Sequence, residues 1–221
     1  MKSRFSKSKI DRLGEALRQA ATATTPLDVQ GLDAYRRVFE VAAEKLAQQL
    51  GSHGLDKFTR RTKSTPSIRD KLLRQPNTRL SQVQDILGFR FVVLDWFEQE
   101  ELSAALASIF PSCKTYDRRT KPTFGYRAVH LVVQVDANPV EIQIRTLFQH
   151  LWSELSENFA DKESQELKYG GGDKRLLAFL MDLSDNVHDR ELELLKSGLR
   201  LPKGQIEEEF KALLPKDTKN V

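Results

Sequence analysis

One segment carries a carboxylate, an amide and a guanidinium on the same face of a predicted strand. Val140–Thr146 alternates apolar and polar residues, and its polar positions are Glu141, Gln143 and Arg145. The carboxylate could take a proton or hold a metal ion, and the guanidinium could hold a phosphate. The same pattern is also typical of the solvated outer face of a sheet, so this strand alone leaves both interpretations open.

A candidate anion site lies at the start of a helix that we predict from Ser67 to about Gln75. Arg60, Arg61 and Lys63 come just before this helix. Cations beside a helix N-terminus favour an anion, because the first turn also offers backbone N–H groups that have no partner in the helix. A solvated basic helix would have the same composition.

A third group of candidates surrounds the most apolar predicted strand, Phe89–Leu94, which we expect at the centre of a sheet. Asp85 lies just upstream, where a carboxylate is a common Mg²⁺ ligand but could equally form a turn or cap a helix. Arg90 lies inside the apolar strand, so it needs either a bound phosphate or an internal carboxylate as its partner.

The surrounding pattern predicts the elements that position these residues. A strand over Tyr126–Val135, followed by turn residues at 136–139, should pair antiparallel with Val140–Thr146. We expect residues 1–54 to form N-terminal helices, 55–165 the core, and 166–221 a helix with a loosely held polar tail. Helical periodicity is clear at 33–50, 96–112, 147–159 and 173–196, whereas 113–125 has the composition of a mobile loop.

The composition restricts the class of protein. The chain has 221 residues, a net charge of +4 and a single cysteine, which excludes an internal disulfide and a cysteine-based zinc site. No apolar run is long enough to span a membrane, and the basic N-terminus lacks the apolar core of a signal peptide, so we expect a cytoplasmic protein. The mildly basic charge suits a partner rich in phosphate, such as a nucleotide or RNA.

Together these segments resemble the synthetase domain of the RelA/SpoT family, which transfers pyrophosphate from ATP to the 3′-hydroxyl of GDP or GTP. Matching motifs follow the family's order over about residues 57–160: R-T-K-S-T-P-S-I at 61–68, D-I-L-G-F-R at 85–90, G-Y-R-A-V-H at 125–130 and E-I-Q-I-R-T at 141–146. The resemblance implies an α+β fold, in which a mixed, partly antiparallel sheet is flanked by helices as in nucleotidyltransferases.

The resemblance also implies a role for each matching residue. Asp85 would hold Mg²⁺, and Glu141 would assist the metal or take the proton of the attacking hydroxyl. Gln143 and Arg90 would support these two residues. The remaining residues would contact the substrates, with Arg61, Lys63, Ser67, Lys71 and Arg145 at the ATP phosphates, and Tyr126, His130 and Lys121 at the acceptor.

The chain departs from the family pattern on the acceptor side. Ala128 replaces a serine of the family motif, and the preceding loop is K-P-T-F-G-Y where many members have K-P-N-G-Y. After the second strand, Q-H-L-W-S-E-L-S replaces the W-x-x-x-E-H of many small synthetases. Because of the change in the K-P-T-F-G-Y loop, the polar residue expected near an acceptor guanine is missing or displaced.

These departures leave alternatives to a GDP or GTP acceptor. Some small toxic members of the family modify the 3′ end of tRNA, which the basic loop 118–121 would suit, and others accept adenine nucleotides. A non-catalytic nucleotide-binding or RNA-binding module is a further alternative, disfavoured because Asp85 and Glu141 are both present. Since we expect no hydrolase domain, control would come from expression, an antitoxin partner or a homo-oligomer contact.

Overall fold

The computed structural model describes residues 6–19 and 26–215, which contain seven α-helices. No helix in these residues is long and apolar enough to cross a membrane. The helices are α1 (Lys7–Gln19), α2 (Pro26–Ser52), α3 (Thr65–Arg74), α4 (Trp96–Ile109), α5 (Leu147–Lys162), α6 (Lys174–Ser197) and α7 (Lys203–Leu213).

The strands form one five-stranded sheet in the order β1-β2-β5-β4-β3. Its members are β1 (Thr59–Thr62), β2 (Leu87–Val93), β3 (Lys114–Asp117), β4 (Val129–Val135) and β5 (Asn138–Thr146). β1 runs antiparallel to β2. The predicted hairpin is confirmed, with β4 and β5 as neighbours joined by Asp136 and Ala137. These two residues have φ values of 50° and 64°, the left-handed backbone that a two-residue hairpin turn requires.

The described residues form two compact units. The first unit comprises the described residues up to Arg90 together with Val132–Ile142. In it α1 packs against α2 and α3, and Gly14 lies so close to the Leu80 side chain that a Cβ atom would stand 2.7 Å from it. The core of this unit combines helical residues at the expected spacing with residues of β2 and β5: Ile10, Leu17, Phe39, Leu46, Ile68, Leu72, Phe89, Val140 and Ile142.

The second unit comprises Phe91–Leu131 and the chain from Gln143 onwards. Its core lies among α5, α6 and α7. The long α6 begins at its N-cap Asp173 and ends at Gly198, which has a φ of 68°. The apolar side chains of this core recur at helical spacing: Phe148, Trp152, Leu155, Leu180, Leu183, Val187, Leu194, Ile206 and Phe210.

Two expectations for irregular segments are wrong. The polar segment after residue 202 contains α7, because Ile206 and Phe210 lie one helical turn apart and both are buried. The expected mobile loop at 113–125 contains β3, a four-residue edge strand whose residues are all exposed. Such a short strand without a buried face has no apolar alternation by which it could be recognised.

Candidate active site

The segment between β1 and α3 is fixed at both ends. Arg36, on α2, donates from Nη2 to the Lys63 carbonyl oxygen at 2.9 Å and to the Thr65 hydroxyl at 3.0 Å. Ser64 caps α3, accepting a hydrogen bond from the Ser67 backbone N–H at 3.3 Å, and the two serine hydroxyls lie 2.8 Å apart. The helix therefore starts at Thr65, two residues before the predicted start, and Ser67 lies in its first turn.

Lys63 and Lys71 converge on Asp85, and we call these three residues the Asp85 cluster. Lys63 Nζ lies 2.7 Å from Asp85 Oδ2, and Lys71 Nζ lies 2.8 Å from Asp85 Oδ1. The side chains of both lysines remain about a quarter exposed, at 24% and 25%. The cluster thus presents two ammonium groups, offset by one carboxylate, to a ligand that comes from solvent.

The carboxylate of Asp85 is stabilised in its ionised form. Burial alone would raise the pKa of Asp85, but the charges and hydrogen bonds of Lys63 and Lys71 outweigh burial and lower it to about 2. Asp85 is therefore ionised at any physiological pH. It can act as a ligand for a hard cation, and it keeps both lysine side chains in place.

Glu141 lies on the strand next to the one that follows Asp85. In the antiparallel register Arg61 is opposite Gly88, and a Cβ atom on Gly88 would stand 3.3 Å from the Glu141 carbonyl oxygen. Arg61, Gly88 and Glu141 thus form a row across β1, β2 and β5. Arg61 is exposed and Glu141 is half-buried, so the row contains a cation and a carboxylate.

Arg90 also follows the register of the sheet. It is half-buried, pairs with Thr59 across the antiparallel ladder, and alternates with the buried Phe89 along β2. Its supporting role stays a prediction.

Arg145 is the centre of a second group of residues, which lies in the second unit. Its side chain is almost fully buried, with 3% of the residue exposed. Nη1 donates to Ser153 Oγ at 2.8 Å, and Nη2 donates to the Tyr126 hydroxyl at 3.2 Å and to Gln143 Oε1 at 3.4 Å. The guanidinium carbon also lies 5.0 Å from the centroid of the Tyr126 ring. We call these residues, with His130, the Arg145 cluster.

Tyr126 and His130 form the hydrogen-bonded pair at the end of this cluster. The Tyr126 hydroxyl lies 2.8 Å from His130 Nε2, and the two rings meet edge to face with centroids 5.6 Å apart. Burial would raise the pKa of Tyr126, but Arg145 and His130 outweigh burial and lower it. Arg145 therefore orients the Tyr126 ring through a hydrogen bond and a cation–π contact. Its predicted phosphate contact, and the acceptor contacts of Tyr126 and His130, stay predictions.

The turn that precedes Tyr126 is held by α5 and α6. Thr123 and Tyr126 form a two-residue turn, in which the Tyr126 N–H donates to the Thr123 carbonyl oxygen at 3.0 Å. Gly125 has a φ of 83°, and a Cβ atom there would stand 2.6 Å from the Trp152 ring. Ser184, on α6, donates to the Gly125 carbonyl oxygen. Only a glycine fits between this ring and the turn.

Arg127 also connects the segment after this turn to α6. Its Nε donates to Ser184 Oγ at 3.1 Å, and its Nη2 bonds to Asp185 Oδ1 at 2.6 Å. Neither Ser184 nor Ser153 was among the site residues predicted from the sequence. Both are small polar residues on amphipathic helices, and no local pattern distinguishes them from surface serines.

Only part of the basic loop at 118–121 is exposed to solvent. Arg119 is buried, because its guanidinium bonds to Asp117 and Glu100 and lies 4.9 Å from the centroid of Trp96. Lys121 is exposed. Arg119 is therefore a structural residue, which removes one cation from the surface expected to suit a tRNA.

Comparisons with known proteins agree with these motifs. A family model described as a region found in RelA/SpoT proteins matches residues 60–166. An uncharacterised protein of Mycobacterium tuberculosis is 37% identical over 123 residues, which are 54% of this chain and 45% of that protein. A probable chloroplastic GTP diphosphokinase of Oryza sativa is 35% identical over 124 residues, 51% of this chain and 17% of that protein. The chain thus matches less than half the length of these relatives.

Two solved structures share the fold. The small alarmone synthetase 2 of Bacillus subtilis superposes with a TM-score of 0.58 at 21% identity, covering 76% of this chain and 96% of that one. The small alarmone synthetase 1 of the same organism, bound to its product pppGpp, has a TM-score of 0.55 at 22% identity, covering 73% and 91%. These likenesses confirm the α+β fold, a mixed five-stranded sheet flanked by helices. By their motifs and by this family match, residues 60–166 of the chain resemble the region found in RelA/SpoT proteins.

Proposed function

We propose that this chain is an ATP-dependent pyrophosphokinase, which transfers pyrophosphate from ATP to the 3′-hydroxyl of GDP or GTP. The observation that carries the proposal is the Asp85 cluster, an ionised carboxylate between two partly exposed lysines. Two further facts support it. The synthetase solved with pppGpp has the same fold, and the rice relative is named a probable GTP diphosphokinase.

Lys63 and Lys71 are suited to bind the phosphates of ATP. Each ammonium group donates to one oxygen of Asp85 and has three N–H donors in all, so a phosphate oxygen can accept a further hydrogen bond from it. In the first turn of α3 the Ser67 N–H donates to Ser64 Oγ and the Ile68 N–H donates to the Ser64 carbonyl oxygen, so the binding charge comes from the side chains. Arg61, exposed on β1, can add a further charge. Binding of ATP would thus use cations that the fold already holds in place.

Mg²⁺ fits this site as part of a nucleotide complex. Among the described residues, no group of three or more His, Cys, Asp and Glu side chains could hold a metal ion. Mg²⁺ is commonly bound by one or two carboxylates together with substrate phosphates. Asp85 fits as such a ligand because it is ionised and its side chain is 23% exposed. When bound, the ion would offset charge on the phosphates of ATP.

The transfer is a displacement at phosphorus. The 3′-oxygen of the acceptor forms a bond to the β-phosphorus of ATP, and the bond from this phosphorus to the α–β bridging oxygen breaks, so that AMP leaves with the electron pair. The proton of the hydroxyl passes to the carboxylate of Glu141 or to solvent. Lys63 and Lys71 stabilise negative charge that builds up on the transferred group.

A transfer assay with γ-labelled ATP and Mg²⁺ tests the proposal. GDP, GTP, adenine nucleotides and bulk tRNA are offered in parallel, and label should move to GDP or GTP. Asp85→Asn should lower the transfer rate at least about a hundredfold, and Glu141→Gln should also lower it, whereas Asp70→Asn, on the exposed side of α3, should leave it unchanged. Label on tRNA or adenine nucleotides alone would replace the proposed acceptor. Bound ATP without any transfer would favour a binding module.

A further inference from the structure

Phe124 has a backbone conformation that aromatic residues rarely adopt. It is the first central residue of the Thr123–Tyr126 turn and has a φ of 50°, and Gly125 follows with a φ of 83°. Two consecutive positive φ values define the hairpin turn that Asn-Gly fits best. The chain therefore has a bulky ring where a small polar side chain would be the less strained choice.

The surroundings of the turn maintain this conformation. Gly125 is confined by the Trp152 ring and by the Leu180 carbonyl oxygen, and its own carbonyl oxygen accepts a hydrogen bond from Ser184. Gly170, with a φ of 82°, leaves space for the Phe124 ring, because a Cβ atom on residue 170 would collide with that ring. Backbone strain that the surrounding structure maintains is commonly found at binding sites.

The Phe124 ring is nevertheless not a core residue. It is 42% exposed, although one edge packs against Gly170. It lies two residues before Tyr126, whose ring the Arg145 cluster orients, and three residues after the exposed Lys121. Unpaired nucleobases stack on partly exposed aromatic rings, and a cation in the same loop can contact their phosphates.

We infer that the Phe124 ring is a stacking surface for the base of the acceptor, which this chain recognises there by an aromatic face rather than by hydrogen bonds to the base edge. The inference rests on the proposed function and names the determinant of its acceptor. The base could belong to a free purine nucleotide or to the unpaired 3′ end of an RNA. Because every base has such a face, discrimination between guanine and other purines should be weak at this contact.

Three variants separate stacking from a structural role. Phe124→Asn removes the ring and suits the positive φ, Phe124→Tyr keeps the ring, and Phe124→Leu keeps only apolar bulk. Calorimetric titration without ATP measures Kd for GDP, IDP, ADP and a short RNA with an unpaired 3′ end. The transfer assay measures KM for the acceptor and for ATP, and thermal unfolding reports on the fold.

The expected pattern is specific to stacking. Phe124→Asn and Phe124→Leu should raise the acceptor Kd and KM by about tenfold or more, the size of effect expected when a base–aromatic stack is lost. Phe124→Tyr should stay within about twofold of the parent. KM for ATP should not change, and Phe124→Asn should unfold at the same temperature as the parent or higher. The Kd for IDP should lie within a few-fold of the Kd for GDP. Whichever of the free nucleotides and the RNA has the lower Kd is the source of the base.

Other results would overturn the inference. Phe124→Asn with parental acceptor affinity, or Phe124→Leu indistinguishable from the parent, would show that no base stacks on the ring. Rejection of IDP by more than about a hundredfold would show hydrogen-bond recognition of the base edge. If the parent transfers label but its affinity does not depend on Phe124, only this inference fails. If the parent binds nucleotide or RNA through Phe124 but transfers nothing, only the proposed function fails. A parent that binds neither overturns both.

Discussion

Gly88 lies against the main chain of Glu141, and a Cβ atom at position 88 would stand 3.3 Å from the Glu141 carbonyl oxygen. This oxygen belongs to a strand inside the sheet, so it cannot move without moving Glu141. We expect Gly88→Ala to reduce the transfer rate by about tenfold, since small displacements of reacting groups are costly. The free energy of unfolding should fall by only about 1 kcal/mol, which thermal unfolding measures.

Gly51→Ala is the matched control for this prediction. Gly51 lies exposed near the end of α2, and no heavy atom lies within 4 Å of a Cβ atom placed there. Alanine should therefore leave the activity unchanged and stabilise the helix by up to about 1 kcal/mol. Equal effects of the two substitutions on the rate would show that the contact with Glu141 does not matter.

Asp85→Asn tests the ionised carboxylate of the Asp85 cluster. The amide keeps the shape but leaves Lys63 and Lys71 without a negative partner, so the transfer rate should fall at least about a hundredfold. At neutral pH the protein should lose on the order of 2 kcal/mol of stability, because the pKa of Asp85 is lowered from 3.8 to about 2.

The pH dependence of unfolding provides an independent measure of the same carboxylate. A lowered pKa in the folded protein contributes stability that is present above pH 3.8 and is lost as the pH falls towards 2. The difference in stability between the parent and Asp85→Asn should therefore shrink over this interval. A difference that stays constant from pH 6 to pH 2 would contradict the assigned ion pairs.

Two substitutions of Tyr126 separate its hydroxyl from its ring. Tyr126→Phe removes the contacts to His130 and Arg145, and should cost about 1–3 kcal/mol of stability because it leaves buried polar groups with fewer partners. Tyr126→Ala also removes the ring, and should raise KM for the acceptor far more than KM for ATP. Tyr116→Phe, on the exposed edge strand β3, should change none of these quantities. An equal rise of both KM values in Tyr126→Ala would argue against an acceptor contact.

Glu191 should make stability depend on pH near neutrality. Burial raises its pKa to about 7 from 4.5, although hydrogen bonds from Thr146 and Gln149 act in the opposite direction. The folded protein therefore binds this proton more tightly than the unfolded chain, and stability falls as the pH rises from 4.5 through 7. Glu191→Gln should remove this fall and exceed the parent in stability at pH 8.

Thermal unfolding between pH 5 and pH 8 checks this prediction. Glu193→Gln, an exposed position on the same helix, should follow the parent's pH profile. A parent profile that rises across this range, or a Glu191→Gln profile as steep as that of the parent, would show that Glu191 is ionised in the folded protein throughout.

Much of the fold could be predicted because most elements have one buried face. Alternation along β5 and helical spacing along α6 predict both elements to within a few residues. β3 and α7 could not be predicted in this way, since β3 has no buried residue and α7 has only Ile206 and Phe210. Helical spacing over 147–159 predicts that Leu151, Leu155 and Phe159 face inward in α5. Of these Leu155 is buried, but Trp152 is more deeply buried than any of them.

Some contacts of the candidate site could be predicted from the sequence, and others could not. The family resemblance assigned Lys63 and Lys71 to the ATP phosphates and Asp85 to Mg²⁺, and the structure shows both lysines in contact with Asp85. The residues that hold the site in place were not predicted, because neither periodicity nor a motif links them to their partners. Arg36 binds the main chain at Lys63, and Ser153 binds Arg145, yet neither lies in a recognisable motif.

The hydrogen bonds of Arg36 and Ser184 have a consequence for truncated forms of the protein. Arg36 precedes the family region of residues 60–166, and Ser184 follows it. Each nevertheless fixes a backbone segment inside that region, one at Lys63 and Thr65, the other at Gly125. A fragment that contains only residues 60–166 would retain every motif but would lack both Arg36 and Ser184. The stretch that matches the family model is thus shorter than the stretch that holds its backbone in place.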